Sequence, residues 1–107
     1  MATVDLVEGQ TAAVDVQLTN RSTVPDLTGS TPELVLKGSD GSSVTTSGKV
    51  SWIDPALAQV RFSPASGDLV AAKSPYAARW KLTDGGGKVA YWPDDEPDRW
   101  VVRAVTL

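Results

Sequence analysis

The segment Tyr76-Ala77-Ala78-Arg79-Trp80-Lys81-Leu82-Thr83 constrains the fold more than any other. Tyr76, Ala78, Trp80 and Leu82 fall on one side of a two-residue period. Ala77, Arg79, Lys81 and Thr83 fall on the other. A helix would space its apolar residues three or four apart, so this pattern predicts a strand with one face buried. The same alternation recurs along the chain. Val14, Val16 and Leu18 alternate with Asp15, Gln17 and Thr19, and Ala58, Val60 and Phe62 with Gln59, Arg61 and Ser63. Leu34 and Leu36 share a face of a strand over Glu33–Lys37.

Turn signals separate these runs. Ser39-Asp40-Gly41-Ser42 predicts a hairpin turn, because Asp-Gly readily takes positive φ, and Val44–Thr46 is the expected returning strand. Lys49–Asp54 reads as a strand with Val50, Trp52 and Asp54 on one face, ended by Pro55. Ser66–Ala72 is the one expected helical turn, with Ser66 or Asp68 as cap. Lys88–Trp92 returns from the Asp84-Gly85-Gly86-Gly87 turn, and Trp100–Thr106 is a β-prone last strand. About seven or eight short strands with regular turn signals predict an all-β sandwich. The 107 residues are expected to form a single domain, 1–107.

Composition removes several kinds of chemistry. The chain has no histidine and no cysteine, so it lacks the commonest general base, the thiolate metal ligand and the disulfide. Serine and threonine are abundant but have no histidine to activate them, and no Gly-x-Ser-x-Gly elbow occurs. Gly85-Gly86-Gly87 lacks the Lys-Ser/Thr that a phosphate loop needs. An enzyme and a bound cofactor are not expected. A net charge of −3 argues against nucleic acid as a partner, because that needs a basic excess. No apolar run approaches membrane-spanning length. Met1–Leu6 lacks the basic and apolar regions of a signal peptide, so synthesis in the cytoplasm is the expectation.

One segment breaks the alternation. Tyr91-Trp92-Pro93-Asp94-Asp95-Glu96-Pro97-Asp98-Arg99-Trp100 carries two prolines, which exclude a helix and a central strand. It predicts a rigid acidic loop flanked by aromatic residues.

Several pieces occur together in a known family. Pro25-Asp26-Leu27-Thr28-Gly29-Ser30-Thr31 resembles the Asp-Leu-Thr-Gly-x-Thr opening of the immunoglobulin-like domain at the N-terminus of tailed-phage baseplate upper proteins. A strand and an Asp-Gly turn follow there, matched here by Leu34-Val35-Leu36-Lys37 and Asp40-Gly41. Asp68-Leu69, Tyr76 and Trp80, the Asp84-Gly85-Gly86 turn, Trp92-Pro93-Asp94-Asp95 and Val101-Val102 then match in order. The resemblance spans roughly Gly9 to Val105. This chain departs from the pattern at Ser74-Pro75, where the family often has a glycine before the tyrosine.

The resemblance implies an immunoglobulin-like β-sandwich of antiparallel strands and a non-enzymatic structural role in a virion. The expected partners are other virion proteins, met in many symmetric copies, with weak contacts reinforced by high local concentration. The expected location is the tail or baseplate, with capsid decoration as the close alternative.

Candidate contact residues are the outward cations Arg61, Arg79, Lys81 and Arg103, together with Trp92, Asp94, Asp95, Glu96 and Asp98 of the acidic segment. Arg79 and Lys81 share a face on their strand. A solvated sheet face is the plainer account of the cations, and a proline-stiffened turn of the loop. The end segments Met1–Glu8 and Arg103–Leu107 are also expected to be free to lie along a neighbour. Two further readings compete. Trp92 and Trp100, or Trp52, exposed and coplanar, would suit a carbohydrate-binding module for a cell-surface glycan. The carboxylates would suit Ca²⁺, although the loop lacks the rhythm of a calcium loop. Trp80 is expected in the core.

Overall fold

A computed structural model describes residues 3–19, 23–93 and 96–104. Eight strands form the framework: β1 (Thr3–Val7), β2 (Val14–Gln17), β3 (Thr31–Lys37), β4 (Val50–Asp54), β5 (Gln59–Phe62), β6 (Tyr76–Thr83), β7 (Val89–Trp92) and β8 (Asp98–Arg103). They form two sheets. One has three strands in the order β2-β5-β4. The other has five, with β1-β8-β6-β3 in line and β7 also paired to β6.

One core joins the sheets. The three-stranded sheet contributes Val14, Val60 and Phe62; the five-stranded sheet contributes Leu6, Leu34, Leu36, Tyr76, Ala78, Trp80, Leu82, Trp100 and Val102. Every residue expected in the core from the alternation is buried except Val16, which is half-buried against it. The period of two therefore predicted the inward face correctly wherever it was unbroken.

Four local expectations need correction. First, Thr3–Val7 is not free to lie along a neighbour: it pairs in parallel with β8, Thr3 beside Arg99 and Val7 beside Arg103. The strands are thus not all antiparallel. Parallel neighbours need a long connection, and here nearly the whole domain supplies it. Of the expected free ends, Met1, Ala2 and Val105–Leu107 lie outside the described residues.

Second, Val44–Thr46 does not form a strand. One bridge, Lys37 with Ser43, and the Val44 N–H donated to the Leu36 carbonyl take its place. The Thr46 hydroxyl donates to the Leu34 carbonyl at 2.6 Å. This segment covers the outer edge of β3, which would otherwise present unpaired backbone groups.

Third, the expected helical turn lies later, as a 3₁₀ turn at Ala71–Lys73 with no side-chain cap. Asp68 does not cap it; its carboxylate accepts the Ala65 N–H at 2.8 Å and pairs with the Lys49 ammonium at 2.8 Å. A second 3₁₀ turn, Pro55–Leu57, has Asp54 as its N-cap, accepting the Ala56 N–H. Proline at the first position fits a helical start because its missing N–H would have no partner there. Fourth, the last strand starts at Asp98 and ends at Arg103, earlier than Trp100–Thr106.

Candidate docking surface

β7 and β8 lie along the same edge of β6. Trp80–Thr83 pair with β7, and Tyr76–Ala78 pair with β8. The acidic segment is the break between them, and Arg79 sits opposite that break. The prolines explain it: neither Pro93 nor Pro97 can donate to the ladder. Trp92 ends β7 on the inward side, half-buried against the core, and its indole N–H donates to the Thr19 carbonyl at 2.8 Å. Glu96 is exposed, and Asp98 is half-buried as the first residue of β8. Asp94 and Asp95 lie outside the described residues.

The four candidate cations do not form one patch. Arg61 faces out from the three-stranded sheet, where its guanidinium donates to both carboxylate oxygens of Asp15 at 2.8 and 3.1 Å. Arg79 and Lys81 are half-buried on the opposite side of the molecule, on the outer face of β6. Arg103 shares that sheet but lies at its far end, 3.6 Å from Asp5. Arg61 is thus separated from the others by the core, because its strand belongs to the other sheet.

The proposed Trp92–Trp100 platform is absent. Trp100 is fully buried, with its ring centroid 6.0 Å from that of Phe62. The strand begins at Asp98, so Trp100 and Val102 point inward while Arg99 and Arg103 point outward. Trp52 is half-buried and donates its indole N–H to the Ser30 carbonyl at 2.8 Å. Among the described residues no group of three acidic side chains is placed to hold a cation.

The two outer faces differ in chemistry. The three-stranded sheet presents Asp15, Gln17, Ser51, Ile53, Asp54, Gln59 and Arg61, nearly all polar; Asp15 and Arg61 pair with each other, and Asp54 caps the Pro55–Leu57 turn. The five-stranded sheet presents Val7, Val35, Val89 and Tyr91, four of the seven exposed large apolar side chains among the described residues. Lys37, Arg79, Lys81, Arg99 and Arg103 stand among them, against Asp5 and Glu33. Sequence reasoning missed Lys37 and Arg99. The signal for both was the alternation itself, once each strand's bounds were fixed.

The motif residues behind the resemblance have structural tasks. Asp26 accepts the Thr28 N–H at 3.0 Å and its hydroxyl at 2.6 Å, which closes a turn. Leu27 packs against the core, and Gly29 takes φ of 86°. Asp40 holds Ser42 in the same way. The Thr28 and Ser42 hydroxyls keep the carboxyls of Asp26 and Asp40 below their ordinary value of 3.8, and the Arg61 hydrogen bonds do so for Asp15.

A carboxyl depressed on folding stabilises the native state above its unfolded pKa, and that contribution is lost as pH falls through the folded value. The melting temperature should therefore hold down to about pH 4 and fall below it. The variant Asp15→Asn/Asp26→Asn/Asp40→Asn should melt lower at neutral pH and show a shallower acid fall. Equal acid slopes for the two proteins in calorimetry would show that other carboxyls govern the response.

No family model and no curated protein sequence matches this chain.

Proposed function

We propose that this chain is a non-catalytic, immunoglobulin-like docking module of a tailed-phage virion, acting at the tail or baseplate. The observation that carries the docking role is the asymmetry between the outer faces. One is largely polar, with Asp15 and Arg61 paired; the other sets exposed apolar side chains among cations, the mixture that suits a protein interface.

The immunoglobulin-like reading draws support from strand order and from one side chain. The β2-β5-β4 sheet corresponds to strands B, E and D of that fold, and β3, β6 and β8 to C, F and G. Tyr76 opens β6, and its hydroxyl accepts the Val70 N–H at 2.9 Å. A tyrosine at the start of strand F that bonds back to the preceding connection is a hallmark of such sandwiches. The phage assignment rests on the motif order from Asp26 to Val102.

Immunogold labelling of purified particles, with an antibody to this chain, tests the assignment. Label at the tail is the expected result. Label on the head would move the module to the capsid. Intact particles without the chain would overturn the virion reading.

A further inference from the structure

One sheet edge is left unblunted. β6 pairs with one side of β7, and no described strand pairs with the other. No turn or loop backbone bond among the described residues reaches Val89–Trp92 either. The other outer strands are each protected in a way that discourages pairing. β1 carries Asp5, and β2 carries Asp15. β4 carries Asp54 beside a shift of register, and Ser43–Thr46 covers β3. Val89-Ala90-Tyr91-Trp92 has no charge and no shift of register. Val89, Ala90 and Tyr91 are all exposed, so the strand is open on both faces at this edge.

The phase of the ladder defines what the edge accepts. The Asp84 N–H donates to the Lys88 carbonyl at 2.9 Å, so that carbonyl faces β6. An antiparallel ladder alternates. Ala90 and Trp92 therefore also bond to β6, and the N–H and C=O of Val89 and Tyr91 point away from it. An extended strand is the occupant that satisfies such a row.

The side chains say which strand. A second copy of β7, laid antiparallel about a two-fold axis through Ala90, matches this one at each position. Val89 of each copy falls opposite Tyr91 of the other, a pair of β-branched and aromatic residues made twice. Ala90 meets Ala90 at the axis, where Cα atoms approach to about 4.5 Å and small side chains fit. Lys88 falls opposite Trp92, so no like charges meet. Pro93 follows and stops the ladder.

We infer that two copies of this chain pair through β7, antiparallel about Ala90, and so join their five-stranded sheets into one. The contact covers two of the exposed apolar side chains described above and does not rest on the virion assignment. So short a ladder buries less than the about 1,200 Å² of a stable interface, so the pairing is weak in dilute solution and strengthens where copies are held close together.

Sedimentation of the full chain over a concentration series up to about 1 mM, where weak contacts populate, tests this. Reversible dimer formation is the expected result. In hydrogen exchange the Val89 and Tyr91 amides should gain protection with concentration, and the Ala90 amide, already bonded to β6, should not. Ala90→Lys and Ala90→Glu each set like charges face to face, and each should weaken the dimer about tenfold or more. An equal mixture of the two should restore it, because lysine then faces glutamate. Tyr91→Pro deletes an outward N–H, keeps the ladder to β6, and should weaken the dimer as well. All three variants should melt with the unmodified chain at low concentration, since the exchanged residues are exposed. A chain that stays monomeric throughout would overturn the proposal. So would dimers that these folded variants leave unchanged, or a mixture no tighter than either charged variant alone.

Discussion

Replacing Trp100 by alanine should destabilise the protein by about 3–5 kcal/mol, the usual cost of truncating a buried tryptophan. Trp100 has no solvent exposure, and its ring meets Phe62 of the other sheet. The truncation therefore opens a cavity where the two sheets join. A domain of this kind is stable by about 5–15 kcal/mol in all. The variant should thus sit close to its unfolding threshold, with a melting temperature lower by roughly 4–8 °C per kcal/mol.

Phenylalanine at the same position should cost less. It keeps most of the ring contact and removes an indole N–H that is buried with no hydrogen-bond partner among the described residues. Urea unfolding of Trp100→Ala and Trp100→Phe measures both. A loss below about 1 kcal/mol for alanine would mean that Trp100 is exposed in solution, and would return it to the candidates for a sugar platform.

The hydroxyl of Tyr76 should be the next most costly group to remove. Tyr76→Phe keeps the buried ring and deletes only the oxygen that accepts the Val70 N–H. The same hydroxyl lies 3.4 Å from the carbonyls of Asp68 and Val70 and can donate to one of them. A donor left without its partner in a part-buried site costs about 1–3 kcal/mol. Unfolding should show that loss, and the Val70 amide should exchange faster. A change of less than about 0.5 kcal/mol would mean that Leu69 and the Lys49–Asp68 ion pair hold this connection alone.

These residues also show what the sequence made legible. The Tyr76–Thr83 alternation placed Tyr76, Trp80 and Leu82 inside because a strand has only two faces. The burial of Trp100 was hidden by its position two residues after the strand's start, where the proline-rich segment leaves the phase undefined. Shifting the start by one residue exchanges Trp100 with Arg99. Thr3–Val7 was missed for a different reason. Val4 and Leu6 do alternate, but their neighbour is β8, at the other end of the chain, and no local turn signal announces a parallel partner.

The outer face of the five-stranded sheet was legible only in some of its residues. Arg79 and Lys81 were placed on one face from spacing alone. Arg61 was grouped with them wrongly, because a strand's sequence gives its phase and not its sheet. Lys37 and Arg99 come to either side of Ala77 only through the register of three strands.

The parallel pairing of β1 and β8 has a mechanical consequence. Two strands running the same way send their outer chain ends in opposite directions, β1 leading out before Thr3 and β8 beyond Arg103. Tension applied through those ends pulls the strands past each other lengthwise. It loads the evenly spaced backbone bonds from Thr3 to Val7 together, in shear, where an antiparallel pair pulled from adjacent ends would unzip bond by bond.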